Sequence, residues 1–146
     1  MLDAASDVVA SGVRLTSQDE REEIRSRAEA GTAHLADEDL SVLKYDEWIA
    51  NLEAGVGSHH AGLVPAYKEV VEDLFSRGLV KLVFATEALA LGINMPARTV
   101  VLDKLSKYTG EGHELLLPGE YTQLTGRAGR RGIDTIGHGV VLYSPY

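Results

Sequence analysis

The chain has 146 residues, 45 % of them hydrophobic and 25 % charged, with a formal net charge of −8 and no cysteine. That length allows one domain at most, and the lack of cysteine excludes disulfides and thiolate metal sites. The acidity is unevenly spread: residues 1–55 hold thirteen acids against five bases, whereas residues 56–146 hold nine of each. A nucleic-acid partner, disfavoured by the net charge, is therefore not excluded for the last two-thirds of the chain.

The opening stretch, DAASDVVASG, reads as a helix. It has no basic leader and no sustained apolar run, so neither a signal peptide nor a membrane span is expected and the location is read as cytoplasmic. TSQDEREEIRSRAEAG predicts a second helix, with Ser17 and Glu20 as a capping box and Gly31 as its stop. DEDLSVLKYDEWIANLEAG predicts one continuous helix, with Leu40, Leu43, Trp48, Ile49 and Leu52 near a 3.6-residue period and an end at Gly55. In VPAYKEVVEDLFSRG, Pro65 suits a first turn, and Tyr67, Val70, Val71, Leu74 and Phe75 form one stripe before Gly78.

The texture then changes. LVKLVFAT and RTVVLDKL are near-continuous apolar runs, which predict strands buried on both faces, and HGVVLYS predicts a third strand. The polar SKYTGEGHELLLPG between them is expected to be a loop. Strands alternating with helices imply an α/β layered sheet with parallel strands. Within one domain, residues 1–54 form an acidic helical part and residues 55–146 carry the motifs.

The first of these motifs is GEYTQLTGRAGRRG. Taken as a helix, it stacks Gln123, Arg127 and Arg130 on one face at i, i+4 and i+7. Gly126 and Gly129 each weaken a helix by about 1 kcal/mol relative to Ala. Such glycines are tolerated where a helix ends or where something approaches the backbone closely. One amide and two guanidiniums aimed at one target suit phosphate oxygens, which an arginine fork binds bidentately. Arg-Gly clusters also occur as solvated turns or loose RNA-binding tails, so this pattern alone leaves both readings open. In FATEALALGINMPA an apolar strand runs directly into a turn bearing Thr86, Gly92, Ile93 and Asn94. Ligands of open α/β sheets bind at such strand ends, and a Thr hydroxyl with nearby N–H groups can hold a backbone phosphate. An Asn-capped turn that merely redirects the chain is the alternative.

Taken together and in this order, TEALALGINMPA resembles motif V and QLTGRAGRRG resembles motif VI of superfamily 2 helicases. With SHHAGLVP upstream, the chain resembles the Ski-like group over residues 55–146. The resemblance implies an α/β fold with a RecA-like parallel sheet flanked by helices, the second lobe of an ATP-driven helicase. It implies that Gln123 and Arg127 face the nucleotide phosphates, that Arg130 is an arginine finger, and that Gly92 and Asn94 line the ATP cleft. Thr86 and Glu87, with His60 and Gly62, are then nucleic-acid contacts. Ala88 departs from the Thr that the family pattern favours, and Arg131 leans the substrate towards RNA rather than DNA.

No G-x-x-x-x-G-K-[ST] and no D-E-x-[HD] segment occurs in the chain. By the resemblance, the phosphate-binding loop and the Mg ligands that accompany ATP belong to a separate N-terminal RecA-like lobe. The present lobe is expected to lack its first strand and to hydrolyse no ATP alone. GVGSHH has His60 where a dinucleotide fingerprint needs glycine, the adjacent His59 and His60 diverge too far to share a metal, and HELLL fails the H-E-x-x-H zinc pattern at Leu117. The competing class is a non-catalytic helicase-like module that binds RNA or protein.

Overall fold

The computed structural model describes residues 2–86, 95–103 and 105–142. The chain divides into two compact units, Met1–Leu89 and Ala90–Tyr146. Among the described residues no helix is long and apolar enough to cross a membrane.

The first unit comprises α1 (Leu2–Ala10), α2 (Gln18–Thr32), α3 (Asp37–Val42), α4 (Tyr45–Glu53), β1 (Val56–His59), α5 (Pro65–Ser76) and β2 (Leu82–Ala85). The two strands pair in parallel, Val56 opposite Leu82 through His59 opposite Ala85, and α5 provides the crossover that such a pair requires. At the start of α2, Ser17 Oγ accepts the Glu20 N–H at 3.2 Å and Glu20 Oε1 accepts the Ser17 N–H at 3.1 Å, completing the expected capping box. The helix does not stop at Gly31 but continues to Thr32. Gly31 serves packing instead: a Cβ there would stand 2.5 Å from Val70 Cγ2 on α5. α5 itself follows its predicted stripe, with Tyr67, Val70, Val71 and Leu74 buried and Phe75 half-buried.

The continuous helix expected over residues 37–55 is in fact two. The backbone breaks at Lys44, whose φ of 53° lies in the left-handed region, a conformation costing a non-glycine residue about 1–2 kcal/mol. Beyond the break, Trp48, Ile49 and Leu52 are buried, while Leu40 and Leu43 stay half-buried. Trp48 stacks on Tyr67 with ring centroids 3.8 Å apart and planes 9° apart, a pairing worth about 0.5–1.5 kcal/mol beyond the area it buries. Burial, with nearby Tyr45 adding to it, pushes the Tyr67 phenol up to about 12.

No periodic pattern announces β1, because VGSH has a single large apolar side chain, yet all four residues are buried. α1, α4 and α5 all pack against it. By contrast β2 is only partly covered, and Leu82 is 36 % exposed. The prediction of a strand enclosed on both faces fails there, since none of its four residues is fully buried.

The second unit holds β3 (Thr99–Leu102), β4 (Ser106–Tyr108), β5 (His113–Leu115), α6 (Pro118–Thr125) and β6 (His138–Val141). β3 and β6 run parallel, Thr99 opposite His138 through Leu102 opposite Val141. Neither is enclosed on both faces, with Val101 55 % and Val140 41 % exposed. The stretch expected as a polar loop contains an antiparallel hairpin, β4 with β5, closed by the Thr109 N–H donating to the Gly112 carbonyl at 2.9 Å.

Candidate functional site

The arginine segment does not continue as the single helix that its spacing suggests. α6 starts on Pro118, ends at Thr125, and is capped by Gly126. A Cβ on Gly126 would stand 2.8 Å from the Thr122 carbonyl oxygen. The chain then leaves the helix to form a parallel bridge between Ala128 and Ala97. Ala97 N–H donates to the Arg127 carbonyl at 3.0 Å, and Gly129 N–H donates to the Ala97 carbonyl at 2.6 Å. Gly129 adopts φ +87, which costs glycine little, and Gly137 closes the turn from the other side. A Cβ on Gly137 would fall 2.4 Å from the Ala128 carbonyl carbon and oxygen.

Three expected residues are therefore redistributed. Gln123 sits exposed on α6, Arg127 lies in the turn that follows, and Arg130 lies beyond Gly129. They do not share one helical face. The expectation that glycines here mark a helix end and a close backbone approach holds, at Gly126 and Gly129 respectively. Arg130 is held by a residue to which the spacing argument assigns nothing. Its Nε–H donates to Asp134 Oδ2 at 2.8 Å, its Nη2–H donates to Oδ1 at 3.0 Å, and its backbone N–H donates to Oδ2 at 2.9 Å. The hydrogen bonds from Arg130 hold the Asp134 carboxyl down to about 2. The available signal was an acid four residues after a glycine-flanked arginine, the spacing of one turn.

In the first unit, the C-terminal ends of the parallel pair carry the other candidates. His59 lies opposite Ala85, so His60 and Thr86 leave the same end of the sheet, each one residue past its strand. His59 is 1 % exposed and its Nε2–H donates to Glu72 Oε1 on α5 at 2.7 Å, which ties the strand end to the helix. His60 Nδ1 accepts the Gly62 N–H at 3.1 Å, and a Cβ on Gly62 would stand 3.0 Å from that nitrogen. His60 and Gly62 are thus joined within one short loop. Burial, the largest cause, lowers the pKa of His60, so at neutral pH the ring is uncharged and presents Nε2–H as a donor. Thr86 is exposed. Glu87, Gly92 and Asn94, together with Ala88, lie outside the described residues.

Residues 29–132 match the family described as the helicase conserved C-terminal domain. The chain belongs to that family, within the Ski-like group of superfamily 2 helicases, and has its α/β, RecA-like fold. It is 58 % identical over 142 residues to "Probable helicase HelY" of Mycobacterium tuberculosis, covering 97 % of this chain and 16 % of that protein. Over 132 residues it is 48 % identical to "DExH-box ATP-dependent RNA helicase DExH11" of Arabidopsis thaliana, covering 90 % of this chain and 10 % of that protein. It is 47 % identical over 139 residues to "Superkiller complex protein 2" of Homo sapiens, covering 93 % and 11 % respectively. The chain thus spans a small part of the length of these relatives.

Proposed function

We propose that this chain is the C-terminal lobe of an ATP-dependent RNA helicase and supplies the arginines of an ATP site shared with an N-terminal lobe. Its two compact units are then parts of one lobe. Arg130 acts as the arginine finger, Arg127 and Gln123 meet the phosphates, and Gly92 and Asn94 line the cleft. Thr86, Glu87, His60 and Gly62 contact the RNA backbone. The observation that carries this reading is the construction of the arginine turn. Backbone contacts at Ala97, Gly129 and Gly137 fix the path of the chain from Arg127 to Arg130, and Arg130 carries a cation locked in direction by Asp134. Fixed donors aimed at developing charge are what phosphoryl transfer requires of a protein.

At the other site, a neutral His60 donating from Nε2 and the Thr86 hydroxyl suit phosphate or sugar oxygens, which position a strand without reading its bases. RNA is preferred over DNA on the name of the Arabidopsis relative and on Arg131. The magnesium accompanying ATP is proposed to take its ligands outside the described residues, among which no group of three or more His, Asp or Glu could hold a metal ion. Closure of the two lobes around ATP would bring the arginines to the phosphate and shift the strand contact, which is gating by domain movement.

The test is Arg130→Ala in the full-length protein that contains this chain. RNA-stimulated ATP turnover should fall by about 10³–10⁵, with RNA affinity nearly unchanged. A loss smaller than about tenfold would remove Arg130 from the role and favour a non-catalytic binding module.

A further inference from the structure

An arginine side chain has five N–H donors fixed in one plane. In Arg130 the Nε–Nη2 edge is committed to Asp134, with donor–acceptor distances of 2.8 and 3.0 Å. The same carboxylate accepts the Arg130 backbone N–H at 2.9 Å, so it is gripped by both the main chain and the side chain of the residue that it holds. The enclosing turn is tight: the N–H groups of Ile133 and Asp134 both donate to the Arg130 carbonyl, at 3.1 and 2.9 Å. The Asp134 side chain is 9 % exposed, whereas that of Arg130 is 37 % exposed. Fixing one edge of a planar fork fixes the direction of the opposite edge, where Nη1 and the second Nη2 hydrogen stand.

We propose that Asp134 is a positioning residue for ATP hydrolysis, whose carboxylate stays on the inner edge of the Arg130 guanidinium and aims its outer edge at the terminal phosphate. This rests on Arg130 being the arginine finger. Three arguments favour an aligner over a brake that must be released first. The contacts lie within one five-residue turn, Arg130 to Asp134, which movement of a lobe as a body leaves intact. They use the edge that a phosphate does not need. They also remove rotamer freedom that a long, flexible side chain would otherwise lose on meeting its target.

The experiment measures RNA-stimulated ATP hydrolysis by the full-length protein. Asp134→Asn keeps the shape but loses the charge and one acceptor. With orientation lost, kcat should fall by about tenfold or more, while KM for ATP stays within about twofold. Arg130→Lys cannot form the fork, so adding Asp134→Asn to it should cost no more than about a further twofold. Faster turnover by Asp134→Asn would reveal a brake and overturn the proposal. So would an unchanged kcat, a loss confined to KM, or fully additive losses in the double variant. Should Asp134→Asn fail to fold, Asp134→Glu, which keeps the charge but displaces the carboxylate by a methylene, should show the same loss in kcat. Arg130→Ala is run alongside. If it leaves turnover intact, the finger reading falls and Asp134 with it; if it abolishes turnover while the Asp134 variants are unaffected, only the positioning role falls.

Discussion

The two units are stabilised by different means. In Met1–Leu89, Ile24, Trp48, Leu52, Tyr67, Leu74 and Val80 are each almost fully buried, and burying one such side chain contributes about 1.5–3 kcal/mol. In Ala90–Tyr146, Leu124 is the one buried hydrophobic residue among those described, while Val101, Ile136, Val140 and Leu142 are exposed. Order around the arginines comes instead from backbone bonds to Ala97, glycines in contact, and one forked ion pair. A core tolerates small errors because methyl groups can shift. A turn built from backbone against backbone has little room to relax.

The largest effect that would sharpen this contrast is expected from Trp48→Ala. It removes the stack on Tyr67 and should cost about 3–5 kcal/mol, read as loss of hydrogen-exchange protection across α2, β1 and α5. Comparable loss in β3 and β6 would break the comparison, because it would show one cooperative unit rather than two. Gly137→Ala should do the reverse. Its Cβ would press on the Ala128 carbonyl and the Gly129 nitrogen, at 2.4 and 2.5 Å, and the turn must shift. A displacement of that kind is expected to lower ATP turnover of the full-length protein about a hundredfold, with protection of α2 and α5 intact.

Gly31→Ala tests the same substitution against a side chain. Val70 Cγ2, 2.5 Å from the added carbon, can move at a cost of about 1–3 kcal/mol, and turnover should be spared. Ser17→Ala removes half of the capping box and should cost about 1 kcal/mol, checked by denaturant midpoint. A cost near zero would mean that the start of α2 is held by the Lys81 to Glu20 bond at 2.5 Å instead.

What was legible follows the same division. The capping box, the stripe of α5 and its Pro65 are local patterns whose energetic cause lies within a few residues, and all three hold. The role of Gly31 answers to Val70 on α5, which no local window contains. β1 was illegible for a related reason: Ser58 and His59 are buried because neighbours enclose them and Glu72 accepts from the imidazole, not because the residues are apolar. At the site, the arginines and glycines were visible as composition. Their arrangement was not, because Ala97 pulls the chain out of the helix after Thr125 from a distance of some thirty residues.

Acid titration should give the smallest effect, and it should separate the units by pH. Burial depresses the folded pKa of His60 below its ordinary 6.5. As pH falls below 6.5 the unfolded chain therefore binds a proton first, so stability in the first unit declines until the folded imidazole also titrates. Asp134 is depressed too, from 3.8 to about 2, but for a carboxyl this means that the contribution is whole above the unfolded value. It is lost only as pH falls from about 4 through about 2. In NMR, movement of the His60 ring and the Gly62 amide should centre below pH 6.5, while between pH 7 and pH 5 the Arg130 amide and Nε–H stay still. His60 titrating above 6.5, or the Arg130 signals moving in that window, would show that the strand-end loop is solvated or that the arginine fork is not closed. Either result would remove one side of the contrast, since both sites depend on a neutral imidazole and an ionised carboxylate coexisting at physiological pH.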